Sequence, residues 1–342
     1  MNQSRAWSRR WFLQAFAVAP AAWITLQTGA GQALSTPATA DIELEVPSVG
    51  EAPPLRLLGK RVFNCYKYLA NIALRQPEEL TVEERNFADA ARQLDRSLDP
   101  FGLGIASYFE FGMIEAGTET ELLTGLERQA RLFSTGLAAA VTQALKLYDK
   151  EVWPRHRALI QEALSPLTQH FGSASERLVA AQAARLGYQK FPPQLTVSLI
   201  VSRLTRGSYS HPTVISLADE QGSELIERVL HELMGVVRFE NADTPSSAEA
   251  MLETFLTRKQ VPRRARAQLW HLLDSWSVGE LVRERVDPAY VPHAVRQKMF
   301  ENVSRTFNLK VSEPLFGAIW QNYQQGKIDL SSAMRQLADA VL

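Results

Sequence analysis

The sequence predicts a mainly helical α+β protein with one small antiparallel sheet placed ahead of a central helix. Apolar residues recur at helical spacing over most of the chain. Two short segments, 195–201 and 211–217, are instead rich in β-branched residues and predict strands. Because 46% of the 342 residues are hydrophobic and 22% are charged, the composition is that of a globular protein with a sizeable core.

The first forty residues have the three parts of an export signal. Residues 1–10 hold three arginines and no acid, and an apolar, alanine-rich stretch follows from Trp11 to about Thr28. Small residues then lead to Asp41. A basic start, an apolar middle and a small-residue cleavage region are typical of a secretory signal.

A short motif within this segment identifies the export route. It matches the twin-arginine pattern S-R-R-x-F-L-K and departs from that pattern only at Gln14. The motif therefore predicts that the twin-arginine translocase carries the chain to the periplasm. Its matching residues are Ser8, Arg9, Arg10, Phe12 and Leu13.

Ala40 and Ala33 each end a small-x-small sequence, so we expect cleavage after one of these two alanines. The alternative is that the apolar run stays attached as a membrane anchor. Pro20 and the marginal length of the run favour cleavage.

Removal of residues 1–40 changes the charge balance only slightly. It takes away three of 37 basic residues and none of the 37 acidic ones, which leaves a net charge of −3. This near-neutral balance lacks the basic footprint of a nucleic-acid-binding protein. Cys65 is the only cysteine, so no disulfide within the chain is available and packing must supply the stability.

The mature chain divides into a short lead-in and one helical domain. Residues 41–58 contain prolines and lack helical periodicity, so we interpret them as an extended lead-in. Residues 59–342 form the predicted domain, with helices expected at 119–150, 155–170, 174–186 and 223–237 and over most of 246–342. The strands at 195–201 and 211–217 are expected to pair antiparallel.

The predicted helix after the second strand contains His231 followed directly by Glu232. In the zinc motif H-E-x-x-H, two histidines one helical turn apart bind one metal ion, and the glutamate activates the metal-bound water. Here Gly235 stands where the second histidine would be. The dipeptide alone has little specificity, because it recurs by chance.

Several segments around this dipeptide resemble an exported bacterial family of gluzincin-like metallopeptidases. The resemblance covers about residues 145–342. In order along the chain, it rests on segments 147–156, 207–216, 224–235 and 277–282, and on Tyr290–Pro292 and Trp320–Gly326. It implies a zincin-like central helix beside a small sheet.

The resemblance also implies roles for individual residues. His231 corresponds to the first metal ligand, Glu232 to the general base and Glu280 to the downstream carboxylate ligand. Gly235 has no side chain that could bind a metal. His211, on the strand before the helix, is the expected substitute ligand, and Glu227, one turn before His231, is another.

Two functions from different classes remain open at this point. The first is a non-catalytic periplasmic protein that binds a peptide or protein partner on a metallopeptidase-like scaffold, without a resident cofactor. The second is a zinc-dependent peptidase with a rearranged ligand set of His231, Glu280 and His211, with Glu232 as base. His231 itself has two interpretations. It is either the remnant of a metal site or an ordinary half-buried, hydrogen-bonded histidine.

The export signal is testable by conservative substitution. Changing Arg9→Lys together with Arg10→Lys keeps the positive charge but removes the paired guanidinium groups of the motif. We expect the mature protein to disappear from the periplasmic fraction, measured by immunoblotting of fractionated cells. Arg5→Lys, outside the motif, is the matched control and should leave export unchanged. Equal export of both variants would contradict the twin-arginine assignment.

Overall fold

The computed structural model describes residues 40–48, 53–98, 114, 136–172, 178–203, 209–210, 213–218 and 220–342. The export motif, the cleavage site after Ala33 and the predicted ligand His211 lie outside these ranges. Residues 38–342 form one compact unit. Within the described ranges, none of the helices combines the length and apolar character needed to cross a bilayer.

The mainly helical α+β class is confirmed. In the first half of the chain the helices are α1 (Arg61–Ala73), α2 (Val82–Arg85), α3 (Ala88–Leu98), α4 (Gly136–Glu151), α5 (Trp153–Gly172) and α6 (Leu178–Arg185). In the second half they are α7 (Gly222–Glu240), α8 (Ala248–Arg258), α9 (Arg263–Arg285), α10 (His293–Arg296), α11 (Met299–Phe307), α12 (Glu313–Gln324) and α13 (Leu330–Ala340).

The sheet has five strands in the order β1-β2-β3-β5-β4, and it is mixed rather than antiparallel. Its two inner pairs, β2/β3 and β3/β5, are parallel, whereas the outer pairs β1/β2 and β5/β4 are antiparallel. The strands are β1 (Ile42–Val46), β2 (Leu55–Gly59), β3 (Leu195–Ile200), β4 (Tyr209–Ser210) and β5 (Thr213–Ser216).

The predicted antiparallel pairing of the two central strands is wrong. β3 and β5 run parallel, with Ser198 opposite Val214 and Ile200 opposite Ser216. The chain first passes to the outer edge, where the two-residue strand β4 runs antiparallel to β5. It then turns back and places β5 between β3 and β4, so the short connection does not make a hairpin of β3 and β5.

The segment predicted as an extended lead-in is extended but belongs to the sheet. β1 and β2 pair antiparallel over their full lengths, from Ile42 opposite Gly59 to Val46 opposite Leu55. β2 then pairs with β3 in parallel, so the start of the domain is held in the same sheet as residues 195–200. Every residue of β2 except Arg56 is buried.

Helices cover this sheet because its inner strands are apolar over their whole length. All four residues of β5 and five of the six residues of β3 are buried, as is usual for parallel strands covered on both faces. α5 packs on β1, β2 and β3, and α7 packs on β3, β4 and β5. The sheet therefore fixes the position of α7, the helix that carries His231.

α9 is the central helix of the second half of the chain. From Leu272 to Val282 all its residues are buried, which is expected of a helix stretch that neighbours surround on every side. α7 and α8 pack on one part of it, and α11 packs on another. The Trp276 ring contacts Phe300, Phe316 and Trp320 edge-on, with ring centroids 6.1–6.4 Å apart.

Cys65 lies in the part of α1 that faces the core. Its side chain has no exposed surface, and burial raises the pKa of its thiol. The neighbouring Asn64 fixes α1 to the end of β3. Its amide nitrogen donates to the Leu199 carbonyl at 3.0 Å and its amide oxygen accepts from the Val201 N–H at 3.1 Å.

Candidate functional site

α7 has an apolar side against the sheet and a polar side away from it. The apolar side includes Leu225, Val229 and Leu233, which are buried. Glu224, early in the helix, lies at the end where a negative charge is favoured by the helix dipole. The polar side continues at the spacing i, i+3, i+4 and i+7 through Glu224, Glu227, Arg228 and His231.

These residues line a polar pocket of about 180 Å³ between α7, α9 and α10. α9 contributes His271 and Ser275, which are four residues apart and therefore share one helical face. Five of the ten lining residues are Glu or Arg, and three more are His. The complete lining is Glu220, Glu224, Glu227, Arg228, His231, His271, Ser275, His293, Arg296 and Gln297.

Close contact between α7 and α9 places Glu227 at the inner end of this pocket. A Cβ at Gly279 of α9 would lie only 2.5 Å from Glu227 Oε1 and 2.5 Å from Pro292 Cβ. A glycine at this position therefore allows the two helices and the residues just before α10 to meet. Since Glu227 meets Gly279 while His231 meets Asp274 and His271, the two helices run in opposite directions along this contact.

The Glu227 carboxylate is buried but well supplied with donors. It accepts the Tyr290 hydroxyl and the backbone N–H of His293, which lies 3.1 and 3.0 Å from its two oxygens. Arg296 Nη2 lies 3.9 Å away. Burial nevertheless outweighs these stabilising contacts and raises the pKa of Glu227 to about 7.

Both arginines of the pocket are held by acids. Arg228 Nε donates to Glu220 Oε1 at 2.7 Å, and Arg296 Nη1 pairs with Glu224. The Arg296 guanidinium also lies over the Tyr290 ring, 5.6 Å from its centroid. The charged groups at this end of the pocket therefore form one paired network.

The other end of the pocket is built around His231. Its Nδ1 lies 3.5 Å from Asp274 Oδ2, and its ring is 5.7 Å from that of His271 between centroids. Burial lowers the pKa of both histidines and raises that of Asp274 to about 7.

Glu232, the predicted general base, does not line the pocket. It follows His231 on α7, where one residue turns the side chain by about 100° around the helix axis. Its side chain is buried, with 5% of its surface exposed. The residue to which the resemblance assigns the role of base is therefore not among those that line the pocket with His231.

Glu280, the predicted downstream ligand, is also separated from His231. It lies nine residues after His271 on α9, or about 13 Å along the helix axis. Its carboxylate pairs with Arg283, and burial raises its pKa. Gly279, its neighbour, is the residue that faces Glu227.

The described residues therefore do not bring the predicted ligands His231 and Glu280 together. His231 and Glu280 have different surroundings, Gly235 provides no side-chain donor, and His211 lies outside the described residues. Across the described part of the chain, no three His, Cys, Asp or Glu side chains come together in a metal-binding group.

The residues of α7 that face the pocket begin one helical turn before the dipeptide His231-Glu232. Glu227 and Arg228 line the pocket together with His231. Of the two substitutes named from the sequence, Glu227 does share a pocket with His231. Asp274 and His293 were missed, although the i+3 spacing of His271 and Asp274 on α9 was a usable signal.

Comparison with known proteins adds no relative. No protein family matches the sequence, and searches of curated proteins and of solved structures find no significant match. The site must therefore be interpreted from its own geometry.

Replacing Gly279 tests the close contact of α7 and α9. Gly279→Ala places a methyl group against buried Glu227 and Pro292, so we expect the free energy of unfolding to fall by about 1–3 kcal/mol. Urea denaturation followed by circular dichroism measures this change. Gly317→Ala in α12 is the matched control, because its new methyl group would be no nearer than 4.0 Å to Trp276. Equal stability of wild type and Gly279→Ala would contradict the predicted close packing.

Burial of Glu227 predicts a pH-dependent contribution to stability. Since its pKa is higher in the folded chain than in the unfolded chain, the folded state holds the proton more tightly. The resulting stabilisation is complete below about pH 4.5 and is lost as the pH rises towards 7, by on the order of 2–3 kcal/mol. Glu227→Gln cannot lose a proton, so its stability relative to wild type should increase from pH 5 to 8.

Urea denaturation of both proteins across this pH range gives the difference directly, and titrations common to both proteins cancel. Tyr290→Phe removes a donor that lowers the pKa of Glu227, so it should move the transition to higher pH. A stability difference between Glu227→Gln and wild type that is independent of pH would refute the assignment.

Proposed function

We propose that the chain is an exported periplasmic protein that binds peptide segments in the pocket between α7 and α9 without hydrolysing them. The observation that carries this proposal is that the charged side chains of α7 that line the pocket are already bonded to other residues. Glu227 is already bonded by Tyr290 and His293, and Arg228 by Glu220. These groups are thus engaged in a structural network.

The sheet supplies a second argument for a peptide ligand. β4 is an edge strand, and it packs beside α7. An extended peptide can add to such an edge through backbone hydrogen bonds, and a neighbouring pocket can then accept one of its side chains. The pocket of about 180 Å³ has the size for a single side chain rather than a large cofactor.

The location rests on the motif from Ser8 to Gln14 and on the single, buried cysteine. A chain that folds without disulfides is compatible with folding in the cytoplasm before twin-arginine transport. Zinc-dependent hydrolysis with His231 as a ligand is the competing function, and the binding experiment below separates the two.

We would measure binding of short, fluorescently labelled peptides of randomised sequence by anisotropy, with a metal chelator present throughout. His271 is exposed at the pocket wall, so His271→Trp should cover the pocket and weaken binding by about tenfold, or roughly 1.4 kcal/mol. Gln268→Trp, on an exposed position of the same helix outside this pocket, is the matched control and should bind as wild type does.

Two further outcomes complete this experiment. Peptides with N-methylated backbone amides should bind more weakly, because they cannot donate to the edge of β4. Equal binding by both tryptophan variants would contradict the assignment of the pocket. Peptide cleavage that requires added zinc and is lost in His231→Ala would contradict the non-catalytic function and favour the peptidase.

A further inference from the structure

His231 and His271 form a cross-helix pair that the proposed peptide site does not require. One lies on α7 and the other on α9, and their ring centroids are 5.7 Å apart with an interplanar angle of 62°. Both side chains line the same polar pocket. Two imidazoles that bind one metal ion at about 2.0–2.1 Å have ring centroids about 5 Å apart. The exposed His271 needs only a small side-chain adjustment to reach that separation.

Asp274 lies behind the His231 ring, although His231 Nδ1 makes no hydrogen bond in this arrangement. Because His231 Nδ1 is buried and lies 3.5 Å from Asp274 Oδ2, Nε2 is the ring nitrogen left for the pocket. A carboxylate behind one imidazole nitrogen, with the other nitrogen directed to the ion, is the usual outer arrangement of protein metal sites. Asp274 is itself buried, with 7% of its surface exposed.

The chemistry of the pocket suits a metal ion that prefers nitrogen ligands. His231 and His271 both supply imidazole nitrogens to this pocket, and imidazole is a common ligand of transition-metal ions. The cavity of about 180 Å³ has room for an ion and several bound waters, each of which occupies about 30 Å³.

We propose that His231 and His271 bind one divalent transition-metal ion in the pocket between α7 and α9. No third described His, Cys, Asp or Glu joins them in a metal-binding group, so water or a bound ligand completes the coordination. This ligand pair differs from the set implied by the H-E-x-x-H resemblance, because Glu280 has no part in it. Copper(II) is the best probe, since it heads the affinity order of the divalent first-row metals.

The experiment uses the tag-free mature protein and Cu²⁺ in competition with glycine. We expect one ion per chain by calorimetry, and electron paramagnetic resonance should show coupling to two imidazole nitrogens. His231→Ala and His271→Ala should each weaken binding by about tenfold or more and remove one of the two nitrogens from the spectrum. Asp274→Asn should weaken binding about 10- to 100-fold while both nitrogens remain.

His293→Ala is the matched control, because His293 lines the same pocket but is not one of the proposed ligands. We expect it to bind Cu²⁺ as wild type does. His231→Gln and His271→Gln repeat the test with side chains closer in size, and circular dichroism verifies that each variant folds. Binding that persists in both alanine variants, or is lost equally in His293→Ala, would overturn the proposal. Failure to bind Cu²⁺ would also overturn it. The proposed peptide binding would not be affected by that result, because it is measured with a metal chelator present.

Discussion

The contact between α7 and α9 at Gly279 determines the geometry of the pocket. Because no side chain separates the helices there, the Glu227 carboxylate is confined against Pro292. Its burial is compensated by the Tyr290 hydroxyl and the His293 N–H, which also fix the start of α10. Since α9 is buried from Leu272 to Val282, it cannot move away at Gly279 to relieve this crowding. The same contact therefore sets where His231 lies relative to His271, one turn further along α7.

The sequence was sufficient for the class of fold and for the positions of most helices. Helical periodicity predicted α5, α7 and the helices after residue 246, because burial of one helical face leaves a regular apolar pattern. It was insufficient for strand pairing. β4 has only two residues and leaves almost no pattern, yet its antiparallel pairing with β5 is what makes β3 and β5 parallel. β1 and β2 were obscured by nearby prolines.

At the site, sequence reasoning identified the helix and His231 but not the side chains that surround it. A dipeptide motif assigns a role to Glu232 by its spacing alone, whereas the direction of that side chain depends on how α7 rotates against the sheet. Glu280 was selected by its neighbour Gly279, and the glycine proves to be the residue that packs against Glu227. Asp274 could be linked to His231 only once α9 was placed beside α7, because the contact between two helices has no signature in a single sequence.

The burial of Cys65 has a consequence for how the protein survives where we propose it works. The periplasm is oxidising, and an accessible thiol there forms mixed disulfides or covalent dimers. With no exposed surface and a raised pKa, the Cys65 thiol is shielded from oxidants as long as α1 remains docked on β3. A chain that crosses the membrane already folded would arrive protected, whereas one that unfolds there would be open to disulfide crosslinking. The oxidation state of Cys65 would therefore show whether the fold stayed intact during transport.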